Sequence, residues 1–493
     1  MGLRVFGIAL AALVLLFARS AVADETGWLK AGAAPAIGRM TDGGFVVVHM
    51  TERGLVAQRF DAARKPREEA FPIEGGRGFA DVVGTSDGGF AVAWVEYHSE
   101  SRIRLNNYAR LSPVGMFMRF YGPDAKPRGR VITLTTALES ASVRLAALAG
   151  GRVAALWTSE EKPRGGIRDG EGLGVSAQVF DADGKTSGPI QVNTTLKGDQ
   201  RAGRIAANKD GTGFVATWVS VKPGELDGLV MARTFDDRGR PQSAEIALDG
   251  KNLGDRLEPT TLSDGRYLIG WYRPCDCVLR TRILDGSGPV GEVKEVFTHT
   301  TFMGPFRLAE LPGGRLLFVA INLDYKQDPD GLIMRRFEAD GSPIGLQEDV
   351  SSGPGPENFD MVTRGDHIVL SYAMPVSGVL NAYWHALGPF NEPAKGRYAV
   401  LKGEARLAYA RRCWAHAEWM IADSARSTGS VAGPSWFTRD FWQGELPEGE
   451  TGPDKAEQAV RSMDAERTIA DLKKLSAEGR QCYLDAEEAG AIP

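Results

Sequence analysis

Beyond its first two dozen residues, the 493-residue chain has no apolar run long enough to span a bilayer, and it holds only four cysteines and six histidines. The histidines (His49, His98, His299, His367, His385 and His416) form no H-x-x-x-H pair, and no Cys/His spacing supplies the ligand set of a zinc site. Basic excess is also missing. The formal net charge is −5, with an isoelectric point near 5.9, which argues against a surface that tracks phosphates, so no nucleic-acid partner is expected. No complete catalytic signature is present either. Gly84-Thr85-Ser86-Asp87-Gly88 fits the G-x-S-x-G of hydrolase elbows, but it reads as a hairpin turn rather than the strand-to-helix turn that chemistry needs. Asp181-Ala182-Asp183-Gly184 and Asp328-Pro329-Asp330-Gly331 resemble fragments of calcium loops, yet neither completes the alternating acids and distal Glu of an EF-hand. Turn chemistry explains both, with calcium binding as the lesser alternative, and no other cofactor is expected. No catalytic, cofactor or metal residue is therefore nominated. Carboxylates are plentiful, but sequence does not say which of them meet.

What the chain has in quantity is glycine, 60 residues of it, and the glycines recur in a pattern. The stretch Gly174 to Trp218 contains four short alternating or apolar runs, Gly174 to Asp181, Pro189 to Asn193, Arg204 to Asn208 and Phe214 to Trp218, which read as one four-stranded antiparallel unit. A Gly-rich turn leading into an apolar strand occurs seven times, with first large residues Phe45, Phe90, Val153, Phe214, Tyr267, Leu316 and Ile368. Those positions are 45, 63, 61, 53, 49 and 52 residues apart, the spacing of four-stranded propeller blades. The expected fold is all-β, a seven-bladed β-propeller of four-stranded antiparallel blades over residues 24–400, with a small α-helical segment over 401–493.

Four residues into each of these strands stand Trp94, Trp157, Trp218, Trp271 and Tyr372, against His49 and Ala320 in the other two. Large residues on one face and small ones on the other suit a strand sandwiched between neighbouring blades, so the tryptophans read as core. A more polar strand follows each: Leu55 to Asp61, Ile103 to Ser112, Val175 to Asp181, Leu229 to Asp236, Val278 to Asp285, Leu332 to Glu338 and Val379 to His385. Five end in a large apolar residue followed by an acid that starts the next turn, as in Phe60-Asp61 and Phe235-Asp236.

The composite DGGFVVxW, AQxFDADG, GPIQVNT and GDQ resembles the blade repeat of bacterial exported β-propellers, also embedded in large secreted adhesin-like and calcium-toxin-like proteins. The resemblance covers about residues 33–400 and is closest at Ala177 to Gln200 and Gly211 to Trp218. It implies a propeller, and little chemistry, because that family is functionally mixed.

The N-terminus supports export. Arg4, the apolar run Val5 to Phe17 and the small residues Ala21-Val22-Ala23 read as a signal peptide over residues 1–23, which leaves no transmembrane span after its removal and a periplasmic or secreted product. Cysteines in such a compartment can pair. Cys275-Asp276-Cys277 sits in a short hairpin and reads as a local disulfide, with reduced thiols, redox chemistry or a soft-metal clip as alternatives. Cys413 and Cys482 lie on two expected helices, one from about Glu404 to Ala425 and one after Asp454, whose pairing would bring them together.

Three regions stand out as partner surfaces. Met116 to Ser140 reads as a long link in blade two, and Glu160 to Gly172 as a charged insert in blade three carrying Lys162, Arg164 and Arg168. Between the C-terminal helices, Trp436, Phe437, Phe441 and Trp442 crowd into seven residues and must be buried, on the helical pair or the propeller, or else on a partner. The expected function is an exported, non-catalytic binding or scaffold protein for a protein or glycan, with a hydrolase or lyase at the channel mouth as the alternative. Three or more polar side chains meeting at the channel would favour the latter.

Overall fold

The computed structural model describes residues 25–390, apart from 32, 98–112, 137–141, 160–171, 187, 226–227, 253–255, 274–277, 299–302, 324–328, 340, 342, 352–357, 377–378 and 389. The first strand is β1 (Glu25–Ala31). Blade one follows as β2 (Ala33–Arg39), β3 (Phe45–Thr51), β4 (Gly54–Phe60) and β5 (Phe71–Pro72). Blade two is β6 (Phe79–Gly84), β7 (Phe90–Tyr97), β8 (Pro113–Tyr121) and β9 (Pro127–Thr135). Blade three is β10 (Ser142–Ala147), β11 (Val153–Ser159), β12 (Gly174–Phe180) and β13 (Ile190–Gln191). Blade four is β14 (Asp199–Ala207), β15 (Gly213–Val221), β16 (Gly228–Asp236) and β17 (Ile246–Asn252). Blade five is β18 (Leu257–Thr261), β19 (Tyr267–Arg273), β20 (Val278–Asp285) and β21 (Gly288–Thr298). Blade six is β22 (Met303–Glu310), β23 (Leu316–Leu323), β24 (Pro329–Phe337) and β25 (Pro343–Ser351). Blade seven has β26 (Phe359–Arg364), β27 (His367–Val376) and β28 (Val379–Leu387), and its fourth strand is β1.

Every sheet is four-stranded and antiparallel, and the seven together form a seven-bladed β-propeller. The chain's first strand therefore closes the ring, pairing Glu25 with Ala386 and Trp28 with Tyr383. This ties the two ends of the wheel by backbone hydrogen bonds and buries Leu29 against blade seven.

The apolar mass lies between blades. Seven core clusters each draw on two neighbours, and the tryptophans four residues into the second strands anchor four of them: Trp94 between blades one and two, Trp157 between two and three, Trp218 between three and four, Trp271 between four and five. All four are essentially fully buried. At the junction of blades seven and one, where β3 carries His49 instead, Trp384 of β28 fills the space edge-on to Phe45 and Phe60. The turn acids behave as their positions imply: Asp61, Asp181 and Asp236 each accept backbone N–H groups from the turn that follows.

The structure corrects two readings of the sequence. The runs from Gly174 to Trp218 are split between two blades, the first two forming the outer strands of blade three and the last two the inner strands of blade four. Sequence similarity marks the period of a repeat but not its phase, which the closing strand sets here. In blade two the third strand is β8, not Ile103 to Ser112, and most of Met116 to Ser140 is strand rather than link. Met116, Met118 and Phe120 face blade three while Phe117 and Tyr121 face blade one, the alternation of a strand buried on both sides. Pro113 is tolerated because it opens the strand.

The helical segment expected over 401–493 lies outside the described residues. Among those residues, no helix is long and apolar enough to cross a membrane.

Candidate functional site

An inner strand of a propeller presents one edge to the axis, so a polar residue repeated at one register position there forms a ring. Pairing with the second strand fixes that position. Asp81 stands opposite Ala93, Arg144 opposite Leu156, Arg204 opposite Thr217, Glu258 opposite Gly270, Arg307 opposite Val319 and Asp360 opposite Ser371. Each partner lies three residues after the first large residue of its blade, and the equivalent place in blade one is Ala36, opposite Val48. Six of seven blades thus place a charged side chain at the same level, in the order Asp, Arg, Arg, Glu, Arg, Asp. All six line one cavity of about 310 Å³ on the axis, whose apolar lining includes Ile37, Leu145, Ile205 and Met361.

Local backbone irregularities sit beside the ring. The register slips between Ala33 and Ala36 in β2, between Arg201 and Arg204 in β14, and between Met303 and Phe306 in β22. Ala34 and Ala202 take left-handed φ of 47° and 57° within the first two slips. Such bulges re-aim the side chains that follow, here Arg204 and Arg307. Blades one and two also approach closely at the axis. A Cβ on Gly84 would stand 2.1 Å from the Arg39 carbonyl oxygen, so only glycine fits.

The six charges divide into two kinds. Asp81 and Asp360 are fasteners. Asp81 accepts N–H groups from Val82 (3.0 Å) and from Leu145 of the next blade (2.7 Å). Asp360 repeats this with Met361 (2.9 Å) and Ile37 of blade one (3.1 Å), and also accepts from Arg307 Nε at 3.0 Å. Arg307 is held further by the Phe306 carbonyl at 3.0 Å and reaches Glu258 at 3.5 Å. Burial alone would lower the Arg307 pKa, but Glu258 and Asp360 outweigh it and raise the pKa, so the guanidinium stays charged.

Arg144 and Arg204, on adjacent blades three and four, are different. Arg144 makes no hydrogen bond to another described residue, and Arg204 makes one, to the Gly203 carbonyl at 3.1 Å. The Nε of each is buried without a partner. Burial, followed by the neighbouring Arg144 charge, pulls the Arg204 pKa down to about 9. Glu258, whose one ion pair among the described residues is the long one to Arg307, is pushed up by burial, which the surrounding arginines only partly oppose. Burial likewise raises Asp81, against the pull of Arg144.

The axis also has two ends. The inner strands begin near the ring and turn back at the far end of the cavity, by Arg39 and Gly84. Because β10 and β11 are antiparallel, pairing Ser142 with Thr158, β11 ends on the side where the inner strands begin, and the sequence nominates Lys162, Arg164 and Arg168 beyond it. Those three residues lie outside the described residues, as do Cys275, Cys277, Cys413, Cys482, Trp436, Phe437, Phe441 and Trp442. Of the remaining motifs, Ser86 is a turn residue, its Oγ accepting the Gly151 N–H of the next blade at 2.6 Å. Asp181 is occupied in capping its own turn.

Sequence reasoning named none of the ring residues, although a signal was there. Ala36, Asp81, Arg144, Arg204, Glu258, Arg307 and Asp360 precede the first large residue of their blades (45, 90, 153, 214, 267, 316, 368) by 9, 9, 9, 10, 9, 9 and 8 positions. A charge at a fixed offset inside an otherwise apolar strand is the mark of an axial residue. The offset drifts by one where the turn itself is one residue longer (Asp210 to Gly213) or shorter (Arg364 to Asp366).

No protein-family model matches the chain, and no curated protein matches it. Solved structures resemble it in shape only. They include a protein of unknown function from Dyadobacter fermentans (13% identity, 74% of this chain and 97% of that one, TM-score 0.42). A polysaccharide lyase also resembles it (10%, 73% and 90%, TM-score 0.46), as does an α-L-arabinofuranosidase from Fusarium graminearum (8%, 63% and 94%, TM-score 0.43). The chain is thus a seven-bladed propeller with hydrolases, lyases and proteins of unknown function among its structural neighbours, and likeness at this level assigns no activity.

Proposed function

We propose that this is an exported, non-catalytic binding protein that holds a polar ligand, either a small molecule or the exposed end of a protein or glycan, in the axial cavity. One observation carries the reading. Arg144 and Arg204 keep most of their hydrogen-bonding capacity unused inside the cavity, whereas each ring aspartate already accepts two backbone N–H groups. A side chain needed only for structure finds partners within the structure, since leaving a buried polar group unpaired costs about 1–3 kcal/mol. Export rests on the N-terminal sequence. The charged Glu160 to Gly172 insert, read from the sequence alone, is a second candidate surface for a partner.

The test is a ligand screen by thermal shift over peptides, glycan fragments and small metabolites, run on the wild type and on the double variant Arg144→Gln/Glu258→Gln. Ligands of the axial cavity shift the wild type and not the variant. Hits that shift both proteins equally would move the binding surface off the axis and end this reading.

A second reading, an extracytoplasmic hydrolase or lyase, is favoured by Glu258. A buried carboxyl with a raised pKa beside cationic neighbours is the setting of a general acid. Turnover of any screened glycan that is abolished in Glu258→Gln, with binding kept, would select it.

A further inference from the structure

Building on the axial cavity as the ligand site, we infer that the group it recognises is a carboxylate, gripped between the guanidinium groups of Arg144 and Arg204. Three features of the ring lead there. First, two arginines on neighbouring blades occupy the same register position, with buried Nε atoms that no described residue accepts from. Guanidinium groups present paired donors that match the two oxygens of a carboxylate. Second, the two repel each other: after burial, the Arg144 charge is the largest influence lowering the Arg204 pKa. An anion placed between them relieves that repulsion and supplies the missing acceptors together.

Third, the other ring members cannot do this work. Asp81 is occupied by Val82 and Leu145, and Arg307 is bonded to Asp360 and the Phe306 carbonyl. Three arginines and three acids make the ring formally neutral and Arg39 adds one positive charge at the far end of the cavity, so a singly charged head group matches it better than a phosphate dianion, which Asp81 and Glu258 would repel more strongly. The volume of about 310 Å³ is that of roughly ten water molecules in the liquid, enough for a compact monocarboxylate. Its body would lie along Ile37, Leu145, Ile205 and Met361.

The experiment compares shape-matched pairs by isothermal titration calorimetry on the full chain: benzoate against benzamide, glucuronate against glucose, with inorganic phosphate alongside. We expect at least one carboxylate to bind tenfold or more tightly than its uncharged counterpart and more tightly than phosphate. Arg144→Gln and Arg204→Gln should each weaken it at least tenfold, and Arg144→Lys, which keeps the charge but loses the fork, should fall between. Equal binding of the charged and uncharged members, tighter binding of phosphate, or no measurable binding of either carboxylate at 50-fold molar excess over millimolar protein overturns the carboxylate assignment. If uncharged members bind and Glu258→Gln abolishes that binding, the axial cavity survives as the ligand site while the carboxylate assignment falls. If binding persists unchanged in all ring variants, both fall. The comparison within the wild type decides the question even where a variant fails to fold.

Discussion

His49 occupies the place on β3 where four other blades carry tryptophan, and it is almost wholly buried, with Nδ1 lacking a partner. It lies on the face of the strand that bears Phe45 and Val47, toward blade seven. Burial lowers its pKa from 6.5 to about 4. The native state therefore binds fewer protons than the unfolded state between those values, so stability from the neutral ring is full above pH 6.5 and is lost as pH falls towards 4. The whole displacement is worth about 3 kcal/mol at about 1.4 kcal/mol per pKa unit, of which about 2 kcal/mol is lost by pH 5. At about 2 cal/mol/K per residue over a wheel of roughly 370 residues, that is about 3 °C in Tm. The perturbation is His49→Phe, which keeps an aromatic ring and removes the titration. Calorimetric Tm should be recorded for both proteins at pH 8 and pH 5. The wild type should lose about 3 °C more than the variant over that interval, whatever constant packing cost the phenyl ring imposes. Parallel losses would show that His49 does not titrate as a buried base, and with it that the junction of blades one and seven is not sealed.

Three further outcomes follow from the ring and the core. Glu258 and Asp81 have raised pKa values, so the native state holds extra protons above their ordinary values of 4.5 and 3.8, and stability falls as pH rises through that window. Glu258→Gln should flatten this part of the Tm–pH profile, and an unchanged slope would contradict the assignment. Asp360→Ala removes the fastener between blades seven and one and leaves Arg307 with the Phe306 carbonyl and, as its counter-charge, the distant Glu258, so a loss of about 3–5 kcal/mol is expected in chemical unfolding; a loss under about 1 kcal/mol would refute it. Gln200→Leu orphans the buried indole N–H of Trp218, bonded to Gln200 Oε1 at 3.1 Å, and should cost about 1–3 kcal/mol by the same assay.

How far the sequence reveals this protein depends on what each feature obeys. Turns and buried strands obey local rules, so Asp42-Gly43-Gly44 and the tryptophan positions read directly as hairpins and inter-blade core. The identity of the closing strand does not, because Glu25–Ala31 has no repeat signature and finds its place only by pairing with Val379–Leu387 at the other end of the wheel. The β8 strand was hidden because 98–112 separates it from its hairpin partner β7, so the expected spacing failed. The ring was missed for another reason: an isolated Arg or Asp in a half-buried strand looks like an outward-facing residue until seven strands are superposed. Only then does a common register turn Asp81, Arg144, Arg204, Glu258, Arg307 and Asp360 into one site. The difference between Asp81, which accepts from Val82 and from Leu145 of the next blade, and Arg144, which has no hydrogen-bond partner among the described residues, is legible only in the folded structure.

An experimental electron-density map of the axis, from protein purified in chloride buffer without added carboxylates, bears on the central claim most directly. The account predicts a bound small molecule or ordered waters bridging Arg144 and Arg204, with both side chains facing the cavity. Side chains of Arg144 and Arg204 turned into direct ion pairs with Asp81 and Glu258, and an axis filled by protein, would contradict it.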